Sequence, residues 1–294
     1  MKRSSSFFEK TKTFLCFAGP SLLIFSLVVV IPIFYGIYLT FTDWDGIAST
    51  KNFVWFENYI ALFQDEAFWA SLWLTIKYVF LSVILINLLA FFLAYGLTSG
   101  VRGQNFLRAG FFTPNLIGGV ILGFIWQFIF SRVTVQLYEY IPVSLLERSW
   151  LSSPEMAFAA LVIVTVWQYA GYMLLIYISG FVSIPSDLIE AASIDGASEA
   201  QIMRRIRLPL MVPSFVICLF LSITRCFKVY DLNISLTEGG PYNSTKLVAM
   251  HIYTKAFEEH RYGVGQAEAI VLFLIMAAIA FTQVYIGKKM EVEA

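Results

Sequence analysis

The chain is poor in charge. Of its 294 residues 14% are Asp, Glu, Lys or Arg, against about 25% in a soluble domain. With 59% hydrophobic and 17% aromatic residues, a water-soluble fold could not hide the apolar surplus, so the solvent it calls for is a bilayer. Positive and negative charges balance, which removes the bulk electrostatic case for nucleic acid. Cysteine is scarce as well. Cys16, Cys218 and Cys226 all sit in apolar runs without C-x-x-C spacing, and they read as membrane-embedded thiols with no shared task. The two histidines, His251 and His260, lie close together in a polar stretch and read as solvated, with no partner set for a metal. No phosphate-binding P-loop and no nucleophile–base set occur, so neither nucleotide hydrolysis nor covalent catalysis is expected of this chain. Internal repeats and low-complexity linkers are missing, and the chain reads as one domain.

What is present is a series of long apolar runs. A membrane helix needs roughly 20 mostly apolar residues, and six stretches qualify: about Phe14 to Phe41, Phe68 to Leu97, Leu107 to Phe130, Met156 to Val182, Pro209 to Tyr230 and Gln266 to Gly287. The expectation is an all-α polytopic membrane protein, with a tail over 1–13, a six-helix domain over 14–287 and a second tail over 288–294. The first apolar run is too long for a signal-peptide core and has no small-residue cleavage site, so it reads as a retained helix. Lys2, Arg3, Lys10, Lys12, Arg102, Arg108, Arg204, Arg205, Arg207, Lys288 and Lys289 fall on one side of this arrangement. The other side has fewer cations over longer loops, and Thr42 to Ala67 is acidic. By the positive-inside bias both termini are cytoplasmic. The longest outer loop, roughly Asp231 to Gly265, has room for a short interfacial helix around Lys246 to Glu258.

The cytoplasmic loop between the fourth and fifth runs, about 183–209, is the most informative. Pro185, Ser186 and Asp187 suit a helix start, with an N-cap and a first-turn acid. Leu188, Ala191, Ala192 and Ala197 follow at near-helical spacing, and Gly196 breaks the helix and allows a turn. A second amphipathic stretch reaches Leu208, and Pro209 opens the next membrane helix. Two short helices joined at a glycine present small faces suited to a partner's groove; a solvated interfacial helix is the plainer alternative. The fixed positions Glu190-Ala191-Ala192, Gly196 and Ile206-Arg207-Leu208-Pro209 resemble the EAA loop of ABC importer permeases at every motif position and at the motif's spacing. The resemblance implies the type I ABC importer fold. It also implies that Glu190, Ala191, Ala192, Asp195, Gly196, Ile206, Leu208 and Pro209 form a coupling helix that docks on an ATPase subunit. ATP and Mg would then be bound by that partner, with no cofactor in this chain.

Leu236-Thr237-Glu238-Gly239-Gly240-Pro241, with Thr245, Ile252-Tyr253, Ala256-Phe257, Gly263 and Ala267, resembles carbohydrate permeases of the maltose-transporter type. It is closest in pattern to the first of the two paired permeases, similar to the maltose and glycerol-3-phosphate permease A subunits. Physically, Gly-Gly-Pro reads as a tight turn. The large insertion and extra N-terminal helices of the maltose permease have no counterpart, and Arg225 and Lys228 replace neutral residues expected in some relatives. The resemblance implies a second, different permease subunit, two ATPase subunits, an extracytoplasmic solute-binding protein and a sugar substrate, in the plasma membrane of a prokaryote.

Charges inside membrane helices call for a functional explanation. Arg225, Lys228 and Asp231 are spaced by three and, with Ser222, are expected to share one face of the fifth helix; pairing of Lys228 with Asp231 at the interface is the alternative. Thr165, Trp167, Gln168, Tyr169 and Tyr172 cluster near the middle of the fourth helix, combining the hydrogen-bonding groups and flat rings that sugars require. By the resemblance, Asn115, Gly119, Thr165, Gln168, Tyr169, Tyr172, Ser222, Arg225, Cys226 and Lys228 belong to the substrate pathway. Polar packing between helices is the competing account of each. A permease for another solute, such as glycerol-3-phosphate, and an ion-driven secondary transporter are the alternatives at the level of the whole chain.

Overall fold

The computed structural model describes residues 7–290. The expected tail positions 1–6, with Lys2 and Arg3, and 291–294 lie outside the described residues. Among the described residues the structure is helical, with a single isolated bridge between Thr42 and Phe53. The helices run α1 Phe7–Phe25, α2 Ile31–Leu39, α3 Glu57–Gln64, α4 Glu66–Thr98, α5 Gln104–Phe112, α6 Gly119–Phe128, α7 Thr134–Leu137 and α8 Pro154–Val182. They continue with α9 Ser186–Ile194, α10 Glu199–Ile202, α11 Leu208–Leu210, α12 Val212–Phe227, α13 Asp231–Leu236, α14 Val248–Tyr253 and α15 Tyr262–Met290. Among the described residues five stretches are long and apolar enough to cross a membrane, or six if the bent pair Glu199–Leu210 and Val212–Phe227 counts as one. Helices are the form this composition must take in lipid, because only they satisfy every backbone polar group within the segment.

The first helix begins at Phe7, inside the expected tail, and the last continues to Met290. Two further departures have physical causes. The third run, expected as one helix over Leu107 to Phe130, is broken. α5 ends in a short 3-10 turn over Thr113–Leu116, Ile117 and Gly118 are extended, and the span resumes over Gly119–Leu137. The fifth run is bent by 65° at Met211. A π turn over Met203–Arg207 precedes Pro209, just as one over Ser26–Val30 precedes Pro32. In both, proline lacks the N–H that would reach back one turn, and the wider coil accommodates the gap.

The chain divides into two compact units, residues 1–65 with 252–271 and residues 66–251 with 272–294. In the larger unit α8 packs against α4, α5 and α12. The interface is apolar, crossed by a few polar rungs. The Tyr78 hydroxyl meets that of Thr165 at 2.5 Å. Asn87 accepts from Tyr177 at 2.7 Å and donates to Ser222 at 3.0 Å. Each such rung between membrane helices contributes about 0.6–2 kcal/mol. Glycines set the closest approaches: a Cβ at Gly171 would lie 1.8 Å from the Phe111 carbonyl oxygen, and one at Gly123 1.8 Å from Ser235 Oγ. His251, expected in solvent, is buried on α14 with its ring edge-on to Phe68. The expected helix near Lys246 to Glu258 is present as α14 and a π turn over Thr254–Glu258.

In the smaller unit Asn58 is the junction. Its side-chain amide donates to the carbonyls of Thr40 and Thr42, each at 2.8 Å, satisfying acceptors that the end of α2 leaves free. Gly263, opening α15, passes so close that a Cβ would lie 2.2 Å from the Thr42 oxygen. Lys255 pairs with Asp65 at 2.9 Å and Glu259 at 3.0 Å.

Candidate functional site

The loop over 183–209 folds as two short helices around a left-handed residue. α9 ends at Ile194, and Gly196 has φ +80°. The N–H of Gly196 donates to Ser193 and that of Ala197 to Ala192, the paired bonds of a Schellman cap. The sequence spacing thus acquires a mechanism. Ala192 is the residue whose carbonyl closes the cap, and the glycine four positions later is the one residue that takes the left-handed turn without strain. The space beside Gly196 is open, with nothing within 4 Å of where a Cβ would stand, so the backbone angle alone selects glycine.

The expected N-cap at Ser186 is not formed; Pro185 occupies the cap position without a side-chain bond. The capping box lies instead on α10. Ser198 accepts from the Gln201 N–H, and Gln201 Oε1 accepts from the Ser198 N–H at 2.7 Å. Glu199 pairs with Arg207 and accepts from the Tyr95 hydroxyl at 3.3 Å, which ties α10 to the end of α4. A cleft of about 410 Å³ lined by Ala192, Gly196, Ala197 and Ile202 separates the short helices. Glu190, Ala191 and Asp195 are exposed, and so are the apolar Leu188 and Ile194, the latter 86%. Ile206, Leu208 and Pro209 are half-buried in the turn leading to α12.

The second constellation lies at the break between α5 and α6. Gln168, midway along α8, donates to the Ile117 carbonyl at 3.2 Å, so the break sits at mid-depth of that span. Non-helical backbone at membrane depth is tolerated where it is buried in protein or lines a cavity, and broken helices there mark transporter binding sites. The Arg225 guanidinium donates to Asn115 Oδ1 at 2.7 Å and lies over the rings of Tyr172 at 4.5 Å and Tyr169 at 5.2 Å. No carboxylate pairs with Arg225 among the described residues. Arg225, Asn115, Tyr169 and Tyr172, taken from three separate stretches of sequence, therefore meet around the break.

The remaining expected pathway residues lie elsewhere in the packing. Thr165, Ser222 and Cys226 are fully buried. Gly119 lets α13 approach, a Cβ there falling 2.9 Å from Asp231 Cβ. Lys228 is exposed. The expected shared face of Arg225, Lys228 and Asp231 does not form. α12 ends at Phe227, Lys228 leaves helical geometry at φ −99° and ψ 11°, and Asp231 opens α13. Lys228 and Asp231 form no ion pair among the described residues. Sequence reasoning missed Asn87, the hub between α4, α8 and α12; an asparagine within an otherwise apolar run was its only signal.

The Thr237 to Pro241 segment is more than a turn. Asn233 donates to Thr237 at 3.0 Å and to the Thr245 carbonyl at 2.8 Å, and Thr245 donates to the Gly240 carbonyl at 2.8 Å. The two threonines are the closure of an asparagine-centred knot.

A polytopic helical membrane protein with a two-helix loop on one face and a polar break inside is the class these features define. The family model for binding-protein-dependent transport system inner membrane components matches residues 86–292, and the chain belongs to that family: it is an ABC importer permease, a transport component and not an enzyme. It is 42% identical, over the whole of both chains, to the probable starch degradation products transport system permease protein of Thermoanaerobacterium thermosulfurigenes. It is 31% identical to the trehalose/maltose transport system permease protein of Thermococcus litoralis, covering 90% of this chain and 91% of that one. A chain of a bacterial ABC transporter importing the acidic polysaccharide alginate has the same fold, with TM-score 0.81 at 21% identity over 95% and 96% of the two chains.

Proposed function

We propose that this chain is one of two permease subunits of a sugar ABC importer, and that its substrate belongs to the oligosaccharides released from starch. The full-length 42% identity to a permease for starch degradation products supports the substrate class. The observation that carries the coupling role is the capped α9–α10 element, which exposes Leu188, Glu190 and Ile194 on one short helix. Exposed apolar residues beside an acid on a rigid helix are what a groove-docking element needs. The docking partner is a separate ATPase subunit, two per transporter, which binds ATP and Mg; a different permease chain supplies the other half of the pathway. A solute-binding protein delivers substrate on the opposite side, and both termini are cytoplasmic.

In the pathway, Tyr169 and Tyr172 offer flat faces to sugar rings, while Arg225 and Asn115 bond hydroxyls. A phosphorylated solute such as glycerol-3-phosphate is the second reading, favoured by a guanidinium that pairs with no carboxylate among the described residues. Uptake of labelled maltodextrins and glycerol-3-phosphate by cells with and without this chain, each with and without ATP depletion, separates the two. ATP-dependent loss of maltodextrin uptake on deletion is the expected result; loss of glycerol-3-phosphate uptake alone would favour the second reading.

A further inference from the structure

The connection between the first two spans carries an apolar face that the rest of its unit leaves uncovered. α3 ends with Gln64, and Glu66 begins the next span, so connectivity holds α3 at the bilayer surface. Its orientation is fixed from the inner side. Asn58 is bonded to the Thr40 and Thr42 carbonyls, the Tyr59 hydroxyl donates to Thr40 Oγ1 at 3.0 Å, and Leu62 is fully buried. These contacts turn Phe56, Ile60 and Phe63 outward, at 60%, 56% and 60% exposure. Their spacing of four and three residues makes one stripe. Phe53 and Trp55 extend it, their rings 4.9 Å apart, and Trp55 is also largely exposed. Glu57 and Gln64 form a polar edge.

We infer that this stripe lies in the lipid interface, as an in-plane amphipathic helix anchoring the first two spans at that face of the membrane. A contiguous aromatic surface of this kind is not left in water. Tryptophan and phenylalanine beside a polar edge have the amphipathic character of the boundary between headgroups and acyl chains. The position next to a span start puts the stripe at that depth without further motion, whereas no charge pattern on the stripe offers a protein partner a register.

Spin-label accessibility tests this in the assembled transporter reconstituted in phosphatidylethanolamine–phosphatidylglycerol vesicles. The exposed Cys16 is replaced by serine, and Cys218 and Cys226 are buried against labelling. Single labels are placed through Phe56→Cys, Ile60→Cys, Phe63→Cys and Glu57→Cys, all exposed positions that leave the Asn58 contacts intact. Collisions with lipid-soluble oxygen should dominate at 56, 60 and 63, and collisions with a water-soluble nickel chelate at 57. Nickel dominance at the stripe would place it in water, and exclusion of both reagents would place it under a protein partner; either overturns the inference.

Discussion

At Gly196 the controlling quantity is a single dihedral angle. Placing a residue with a Cβ in the left-handed region costs about 1–2 kcal/mol, and asparagine is less penalised there than most. Gly196→Ala should therefore lower sugar-stimulated ATPase activity and uptake together, and Gly196→Asn should retain most of both. Equal loss in the two variants would point to side-chain bulk as the constraint. Lys255 makes a second prediction at this scale. Burial of its ammonium is the largest single influence and lowers its pKa; the hydrogen bonds and charges of Asp65 and Glu259 together outweigh it, so the net shift is upward from 10.5. A raised folded value means the pair stabilises fully below the unfolded pKa and loses that contribution as pH rises through the folded one. Thermal midpoints in detergent should fall for the wild type as pH climbs past 10.5, while Lys255→Met starts lower and follows a flatter alkaline limb.

Among the elements, the broken third span depends on α5 lying against Gly171. Gly171→Ala must push the Phe111 carbonyl aside, an overpacking cost of about 1–3 kcal/mol, and should lower both the thermal midpoint and uptake. Gly110→Ala on α5, with nothing within 4 Å, should leave both unchanged. How much of each element was legible in the sequence follows from how local its cause is. The two-helix form of the α9–α10 loop and its break at Gly196 could be read from residues, because a Schellman cap is written within a few positions of chain; the cap was expected at Ser186, whereas the capping box stands at Ser198 and Gln201. The break at Ile117 could not: Pro114-Asn115 and Gly118-Gly119 stand in the run, but membrane helices tolerate such residues, and the group that holds the freed carbonyl, Gln168, comes from another helix. The early end of α12 was hidden in the same way. Spacing by three places Arg225, Lys228 and Asp231 on one face only while the helix lasts, and nothing local to Lys228 announces its end. The burial of His251 rests on Phe68, far away in sequence.

For the whole molecule, six apolar runs and a basic side were enough to predict a polytopic helical membrane protein. They could not show that the chain divides into two units, since that depends on which helices pack together. The substrate site is likewise a whole-molecule property. Arg225 and Asn115 lie 110 positions apart in sequence and become a pair only when α12 reaches the break. Arg225→Gln should weaken transport chiefly through KM if the guanidinium bonds bound sugar, with basal ATPase activity retained. ATP-driven entry of starch-derived oligosaccharides through this chain is best tested by uptake of labelled maltodextrin. The cells would carry the wild-type chain, the deletion or Gly196→Pro, each with and without ATP depletion. Uptake is expected only with the wild-type chain and ATP; maltodextrin entry that persists in the deletion, or that survives ATP depletion, would contradict this function.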